Sequence, residues 1–156
     1  MIKIAAFALE EILEEHDIKY GYHAVEKCRC GEKKQIWKSS VVYYNRMIPM
    51  LRKVLEYLAD KNLYTRTWKS AKVFILFSPF CSCCDSGSNA AKAIDTIRAA
   101  GFDGKIIVVF PLDSLDSLDS LDKNQGGLPY YIRKYNGLIG VNLLSETCFS
   151  DITGLF

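Results

Sequence analysis

The sequence predicts an α/β domain in which helices cover a five-stranded mixed sheet, in the order α-β-β-α-β-α-β-α-β-α. Three largely apolar runs of strand length, at residues 72–77, 106–110 and 139–144, carry this prediction. Segments whose apolar residues recur at helical spacing alternate with these runs. Strands that are apolar throughout are typical of a sheet with helices on both faces, so part of the sheet is expected to be parallel.

The N-terminal quarter of the chain is expected to form one helix and one antiparallel hairpin. Apolar residues at helical spacing predict an amphipathic helix over residues 3–16. These residues are Ile4, Phe7, Ala8 and Ile12. Two runs rich in aromatic and β-branched residues, 20–30 and 35–43, flank a short turn and predict a hairpin that adds an antiparallel edge to the sheet.

The clearest helical pattern lies over residues 47–58. Its apolar stripe consists of Met47, Met50, Leu51, Val54, Leu55 and Leu58. Asn45 is the candidate N-cap, because its side chain can accept a hydrogen bond from the first turn. Pro49 falls in that first turn, where a missing N–H costs least.

The second half of the chain alternates strands with helices. After the strand at 72–77, a helix is predicted whose apolar face holds Ala90, Ala93, Ile94 and Ile97, with Gly101 beyond its end. A helix is also predicted over residues 128–135, ended by Asn136 and Gly137. It leads to the strand at 139–144, and the chain closes on a short helix that contains Phe149, Ile152 and Phe156.

Composition limits the classes of protein to consider. The chain has 156 residues, which is enough to form a hydrophobic core without disulfides or a structural metal. We expect one domain over residues 1–156. A net charge of +2 does not indicate nucleic-acid binding. No apolar run approaches the roughly 18 residues of a membrane span, and no secretory signal pattern is present. We therefore expect an intracellular protein of the cytoplasm or nucleus, with no membrane partner.

The cysteines point to one chemical motif. Residues 77–84 read Phe-Ser-Pro-Phe-Cys-Ser-Cys-Cys, directly after a predicted strand and at the start of a helix. This stretch resembles the Ser-Pro-Cys-x-x-Cys metal motif of the AID/APOBEC branch of the zinc-dependent cytidine deaminase superfamily. The order of elements and the tail from Gly127 to Phe156 also resemble that branch. The resemblance implies a deaminase-like fold and a zinc-bound water that attacks cytosine.

The residues that such chemistry requires are replaced. The family places His-x-Glu at the start of the helix after the hairpin, where this chain has Tyr43-Tyr44-Asn45. Tyr43 thus stands at the position of the histidine ligand, and Asn45 at the position of the general acid/base. A general acid/base alone contributes about 10²–10⁴-fold to a rate, and asparagine cannot exchange a proton near neutral pH. The resemblance therefore predicts a deaminase fold that has lost its activity.

The metal motif leaves two interpretations open. In the family a cysteine directly follows the proline, whereas Phe80 does so here. Either Phe80 replaces the first ligand, or one residue is inserted and Cys81 and Cys84 keep the Cys-x-x-Cys spacing. Two thiolates are fewer than the three protein ligands that zinc normally has. We expect no bound cofactor, and zinc at Cys81 and Cys84 is the alternative.

An acidic repeat bears on the choice of partner. Three and a half copies of Leu-Asp-Ser, residues 112–122, place Asp113, Asp116, Asp119 and Asp122 in the loop that approaches single-stranded substrate in the family. These four carboxylates oppose phosphate binding. We therefore expect an interaction module whose partner is a protein rather than single-stranded nucleic acid.

Two alternative functions stay open at this point. The first is an active zinc-dependent cytidine deaminase on single-stranded DNA or RNA, with Cys81 and Cys84 as ligands. The second is a thioredoxin-like dithiol redox protein, because strand, Cys-x-x-Cys and helix also follow one another in that fold. Residues 129–136 would be a strand in the redox protein and a helix in the deaminase, and their apolar spacing favours the helix. Cys148 is expected to serve in packing.

Overall fold

A parallel four-stranded sheet forms the centre of the structure. The computed structural model describes residues 2–8, 11–12, 46–77, 93–110 and 137–156. The strands are β1 (Ile4–Ala8), β2 (Val73–Phe77), β3 (Lys105–Phe110) and β4 (Leu138–Asn142). They lie in the order β1-β2-β3-β4, and every neighbouring pair is parallel. The α/β class and the parallel part of the sheet are thereby confirmed, and the three apolar runs form β2, β3 and β4.

The register of the sheet aligns the ends of the strands. Ile4 pairs with Val73, and Val73 pairs with Lys105, so that β1, β2 and β3 begin at the same edge. At the opposite edge Ala8 pairs with Phe77, and Phe110 pairs with Asn142. We call the first the amino edge and the second the carboxyl edge of the sheet.

Two complete helices and one helical segment surround the sheet. Helix α1 spans Ile48–Asp60, helix α2 spans Cys148–Thr153, and residues 93–99 are helical. Proline lies in the first turn of α1, as predicted. Gly101 follows the helical segment with a φ of 98°, a backbone conformation in which glycine lacks the steric penalty of a Cβ. A short 3₁₀ turn, Trp68–Ser70, precedes β2.

Both faces of the sheet are buried, in two separate cores. The first core includes the β2 residues Phe74 and Leu76, the helical segment 93–99 and the ring of Trp68. The second core includes Ile75 and Phe77 of β2 together with helices α1 and α2. Successive strand residues point to opposite faces. Because each face of β2 has a cover, apolar residues are required at every position of this strand, which explains its continuous apolar run.

The prediction of a helix at residues 3–16 is wrong over its first part. Residues 4–8 form β1. Of residues 9–16 the structure describes only Glu11 and Ile12, and both are helical. All five residues of β1 are buried, with Ala5 and Phe7 in the first core and Ile4 and Ala6 in the second. Tertiary pairing with β2 therefore outweighs the helical spacing of the apolar residues.

Several predicted elements lie outside the described residues. These are the hairpin of residues 20–43, which would supply the antiparallel edge and the fifth strand, and the helix over residues 128–135. The candidate cap Asn45 also lies outside them, and the residue directly before α1 is Met47. In the part of the chain that the structure describes, no helix has the length and apolar character needed to cross a membrane.

Candidate functional site

The carboxyl edge of the sheet is the candidate functional site. In open parallel sheets, ligands bind outside the carboxyl ends of the strands, where the loops that follow the strands meet. Here β2 ends at Phe77, a fully buried residue with β1 on one side and β3 on the other. The cysteine-rich residues 81–84 begin four positions later in the sequence. The strand before the predicted metal motif therefore lies inside the sheet, next to two parallel neighbours.

The side chain of Glu11 forms a hydrogen bond with the last residue of β1. The Ala8 backbone N–H donates a 2.8 Å hydrogen bond to Oε2 of Glu11. This bond gives the last amide of the strand a partner and holds the Glu11 side chain against the carboxyl edge. Buried backbone amides need such partners. The sequence analysis missed this role, because it placed Glu11 in a helix that starts before β1.

One hydrogen bond joins the end of β3 to the residue after β4, and a second lies within the turn that follows β4. The Leu143 N–H donates to the carbonyl oxygen of Phe110 at 2.7 Å. The side chain of Asn142 turns back, and its Oδ1 accepts a 3.0 Å bond from the N–H of Leu144. Asparagine commonly organises a turn in this way. The chain thus leaves β4 in a defined direction before it enters α2.

The residues that the sequence marks as catalytic or metal-binding lie outside the described part of the chain. They are Tyr43, Asn45, Phe80, Cys81 and Cys84. The structure therefore brings none of them together, and the predicted metal and acid/base positions stay predictions. Among the residues that the structure describes, no group of three or more His, Cys, Asp or Glu side chains is arranged to hold a metal ion.

Cys148 is the cysteine that the structure describes, and it is a buried free thiol of the second core. Its packing role is confirmed, since its side chain is fully buried where α2 begins. Burial, and to a smaller extent the nearby carboxylate of Asp151, raises the pKa of this thiol to about 11. The thiolate is the nucleophilic form, so Cys148 is inert near neutral pH.

The raised pKa of Cys148 predicts a loss of stability in alkaline solution. The folded thiol keeps its proton up to about pH 11, whereas a thiol at the model value loses it near pH 9.0. Unfolding then releases a proton, so the free energy of unfolding falls by up to about 1.4 kcal/mol per pH unit between these values. Chemical denaturation from pH 8 to 11 measures this slope. A Cys148→Ala variant serves as the control and is expected to show a shallower slope, and equal slopes would contradict the prediction.

The amino edge of the sheet carries a group of cations that the sequence analysis did not single out. Lys3 and Lys72 directly precede β1 and β2, and Lys105 is the first residue of β3. The signal in the sequence is a lysine at the start of successive apolar runs. Lys105 has an internal partner, because its Nζ donates a 2.7 Å bond to the carbonyl oxygen of Leu155.

Comparisons with known proteins were made at the level of families, sequences and folds. The chain matches no protein-family model, no curated protein and no solved structure.

Proposed function

We propose that this chain is a deaminase-like α/β protein that has lost catalysis and acts as an interaction module for a protein partner. The observation that carries the proposal is the tyrosine and asparagine at positions 43 and 45. A hydrolytic deaminase needs a histidine ligand and a glutamate that moves a proton. Neither Tyr43 nor Asn45 supplies these functions near neutral pH.

The described sheet has the α/β class that this proposal requires. A buried strand, β2, precedes the cysteine segment, and the helical residues 93–99 then lead into the parallel neighbour β3. The next strand along the chain, β4, continues the sheet in the same direction. A strand, the cysteine segment, a helix and a strand therefore follow one another along the chain, as the proposal requires. The strand β1 at residues 4–8 departs from it, because a helix was expected there.

The alternative of an active zinc deaminase depends on the spacing of Cys81 and Cys84. These residues follow Phe77, the last residue of β2, by four and seven positions in the sequence. Zinc there would need at least one further protein ligand. Metal content is therefore the measurement that separates a binding module from an enzyme.

The test of the proposed function measures zinc and deamination together. Untagged protein and a Cys81→Ser/Cys84→Ser variant are analysed for metal by mass spectrometry and assayed on a cytosine-containing single-stranded oligonucleotide. We expect neither stoichiometric zinc nor deamination in the unmodified chain. One equivalent of zinc that the variant loses, together with deamination, would overturn the proposal and establish the enzyme.

A second variant, Tyr43→His/Asn45→Glu, makes the same test sharper. It restores the ligand and the acid/base that the resemblance requires. If the fold is deaminase-like, we expect this variant to bind more zinc than the unmodified chain. The matching variant with Cys81→Ser and Cys84→Ser added should lose the zinc again. No gain of zinc in a folded Tyr43→His/Asn45→Glu variant would count against the deaminase-like layout.

A further inference from the structure

The exposed face of helix α1 carries charges in an order that does not stabilise the helix. Val54 and Leu58 are the buried residues of α1, and the residues on the opposite side of the helix are exposed. Basic residues lie before the helix and in its first half, whereas Glu56 and Asp60 lie in its second half. The macrodipole of a helix favours the reverse order, with anions near the N-terminus and cations near the C-terminus. The stability of α1 therefore does not explain this arrangement.

Every charged residue between positions 46 and 61 is exposed, namely Arg46, Arg52, Lys53, Glu56, Asp60 and Lys61. Two of the lysines lie near aromatic rings. The Nζ of Lys53 is 4.4 Å from the ring centroid of Phe149, and the Nζ of Lys61 is 5.9 Å from that of Tyr57. The other four residues form no ion pair with any residue that the structure describes. Two cations and two carboxylates thus remain available on one helix.

The spacing of these four residues is symmetrical about one level of the helix. Position 54 is midway between Arg52 and Glu56, and position 53 is midway between Arg46 and Asp60. A two-fold axis across the helix at this level would set two α1 helices antiparallel, with each cation of one copy near a carboxylate of the other. The exposed residues Pro49 and Ala59 also have position 54 as their midpoint. Their short side chains would meet at the same level and would allow the two helices to approach.

We propose that the exposed face of α1 is the interface of a two-fold symmetric dimer of this chain. Arg52 pairs with Glu56 of the other copy and Arg46 with Asp60, and each pair occurs twice because both copies use the same face. A helix of 13 residues is only about 20 Å long, so the dimer is weak and its association depends on salt. This inference rests on the proposed function in one respect, since it names a second copy of the chain as the protein partner.

Two charge reversals test the pairing of Arg52 with Glu56. Arg52→Glu places a carboxylate opposite Glu56 of the other copy, and Glu56→Arg places a second cation opposite Arg52. Sedimentation of the full chain at low salt measures self-association, and we expect either variant to weaken it about tenfold or more. Arg66→Glu is the matched control, because it changes the net charge as much as Arg52→Glu does, at an exposed residue beyond α1. High salt should weaken association of the unmodified chain, since it screens exposed charges.

A mixture of the two reversals tests the symmetry of the interface. When the Arg52→Glu chain meets the Glu56→Arg chain, opposite charges face each other again at both pairs. We therefore expect an equimolar mixture to form mixed dimers, although each variant alone stays monomeric at the same concentration. The double variant Arg52→Glu/Glu56→Arg keeps the net charge of the unmodified chain and should also dimerise. Circular dichroism of each variant confirms that it is folded.

Three outcomes would overturn the inference. One is an unmodified chain that stays monomeric at all concentrations tested. Another is an equal effect of Arg52→Glu and Arg66→Glu, which would show that association does not depend on the face of α1. The third is a mixture of the two reversals that stays monomeric, since Arg52 and Glu56 would then not pair between copies. A monomer without deamination overturns this inference and leaves the proposed function intact. A dimer that binds zinc and deaminates cytosine overturns the proposed function and leaves the interface intact.

Discussion

Replacing Phe74 by alanine is expected to lower the free energy of unfolding by about 3–5 kcal/mol, the usual range for a buried phenylalanine. Phe74 is fully buried in β2 and contacts aromatic rings on three sides. Its ring centroid lies 5.5 Å from that of Phe7, 6.2 Å from that of Trp68 and 6.0 Å from that of Phe102. Truncation removes all three contacts and leaves a cavity that the paired strands cannot close.

Phe149→Ala is the matched control for this prediction. Phe149 also belongs to an aromatic group, with its ring 5.5 Å from that of Tyr57, but it is only half-buried on α2. Its loss removes less buried area and leaves no closed cavity, so the destabilisation should be clearly smaller. Urea denaturation of the two variants measures the difference. Equal losses would show that the first core does not depend on Phe74 as the structure indicates.

Replacing Gly104 by alanine is expected to cost at least about 2 kcal/mol of unfolding free energy, as overpacking of a closely packed position does. A Cβ at this position would collide with the backbone carbonyl oxygen of Lys72 and would lie 2.9 Å from Cζ of Phe102. The neighbouring amide of Lys105 donates to that same carbonyl oxygen, at 3.2 Å. The loop before β3 could make room only if it moved away from the start of β2.

Gly101→Ala separates this steric effect from backbone strain. Gly101 has a φ of 98°, but a Cβ there would meet no atom within 4 Å. Its replacement should therefore cost only the strain of the left-handed conformation, about 1 kcal/mol or somewhat more. Thermal or urea unfolding of both variants gives the comparison. A larger loss for Gly101→Ala than for Gly104→Ala would contradict the close approach at the amino edge.

The strands β2, β3 and β4 and helices α1 and α2 could all be predicted from local patterns. These strands are mostly apolar segments of five or six residues, and α1 combines an apolar stripe with a proline in its first turn. Such patterns arise because a strand buried on both faces and a helix buried on one face require different arrangements of apolar residues. The predicted bounds agree with the observed ones to within two residues for these strands.

The strand β1 could not be predicted in the same way. Its residues, Ile-Ala-Ala-Phe-Ala, are compatible with a helix, because alanine has the highest helix propensity. Residues 4–8 form a strand because they pair with residues far along the chain, Val73 to Phe77. Nothing in the local spacing indicates that partner. The role of Glu11 at the end of β1 was missed for the same reason.

The candidate functional residues also include some that the sequence identifies and some that only the structure brings together. The cysteine spacing and the replacements at Tyr43 and Asn45 are properties of residue identity, and they carry the proposed function. The group of cations at the amino edge depends on placement. Lys3 is 69 positions from Lys72 in the sequence, and backbone hydrogen bonds between the start of β1 and residues 63–72 bring the two together.

The amino-acid pattern was sufficient to establish the α/β class and the motif that suggests a deaminase, because apolar periodicity and side-chain chemistry are local properties. The tertiary structure alone decided that residues 4–8 are a strand, that the described strands are all parallel, and that the lysines share one edge. These features depend on backbone pairing between distant residues, and the free energy of such pairing is not encoded in any short segment.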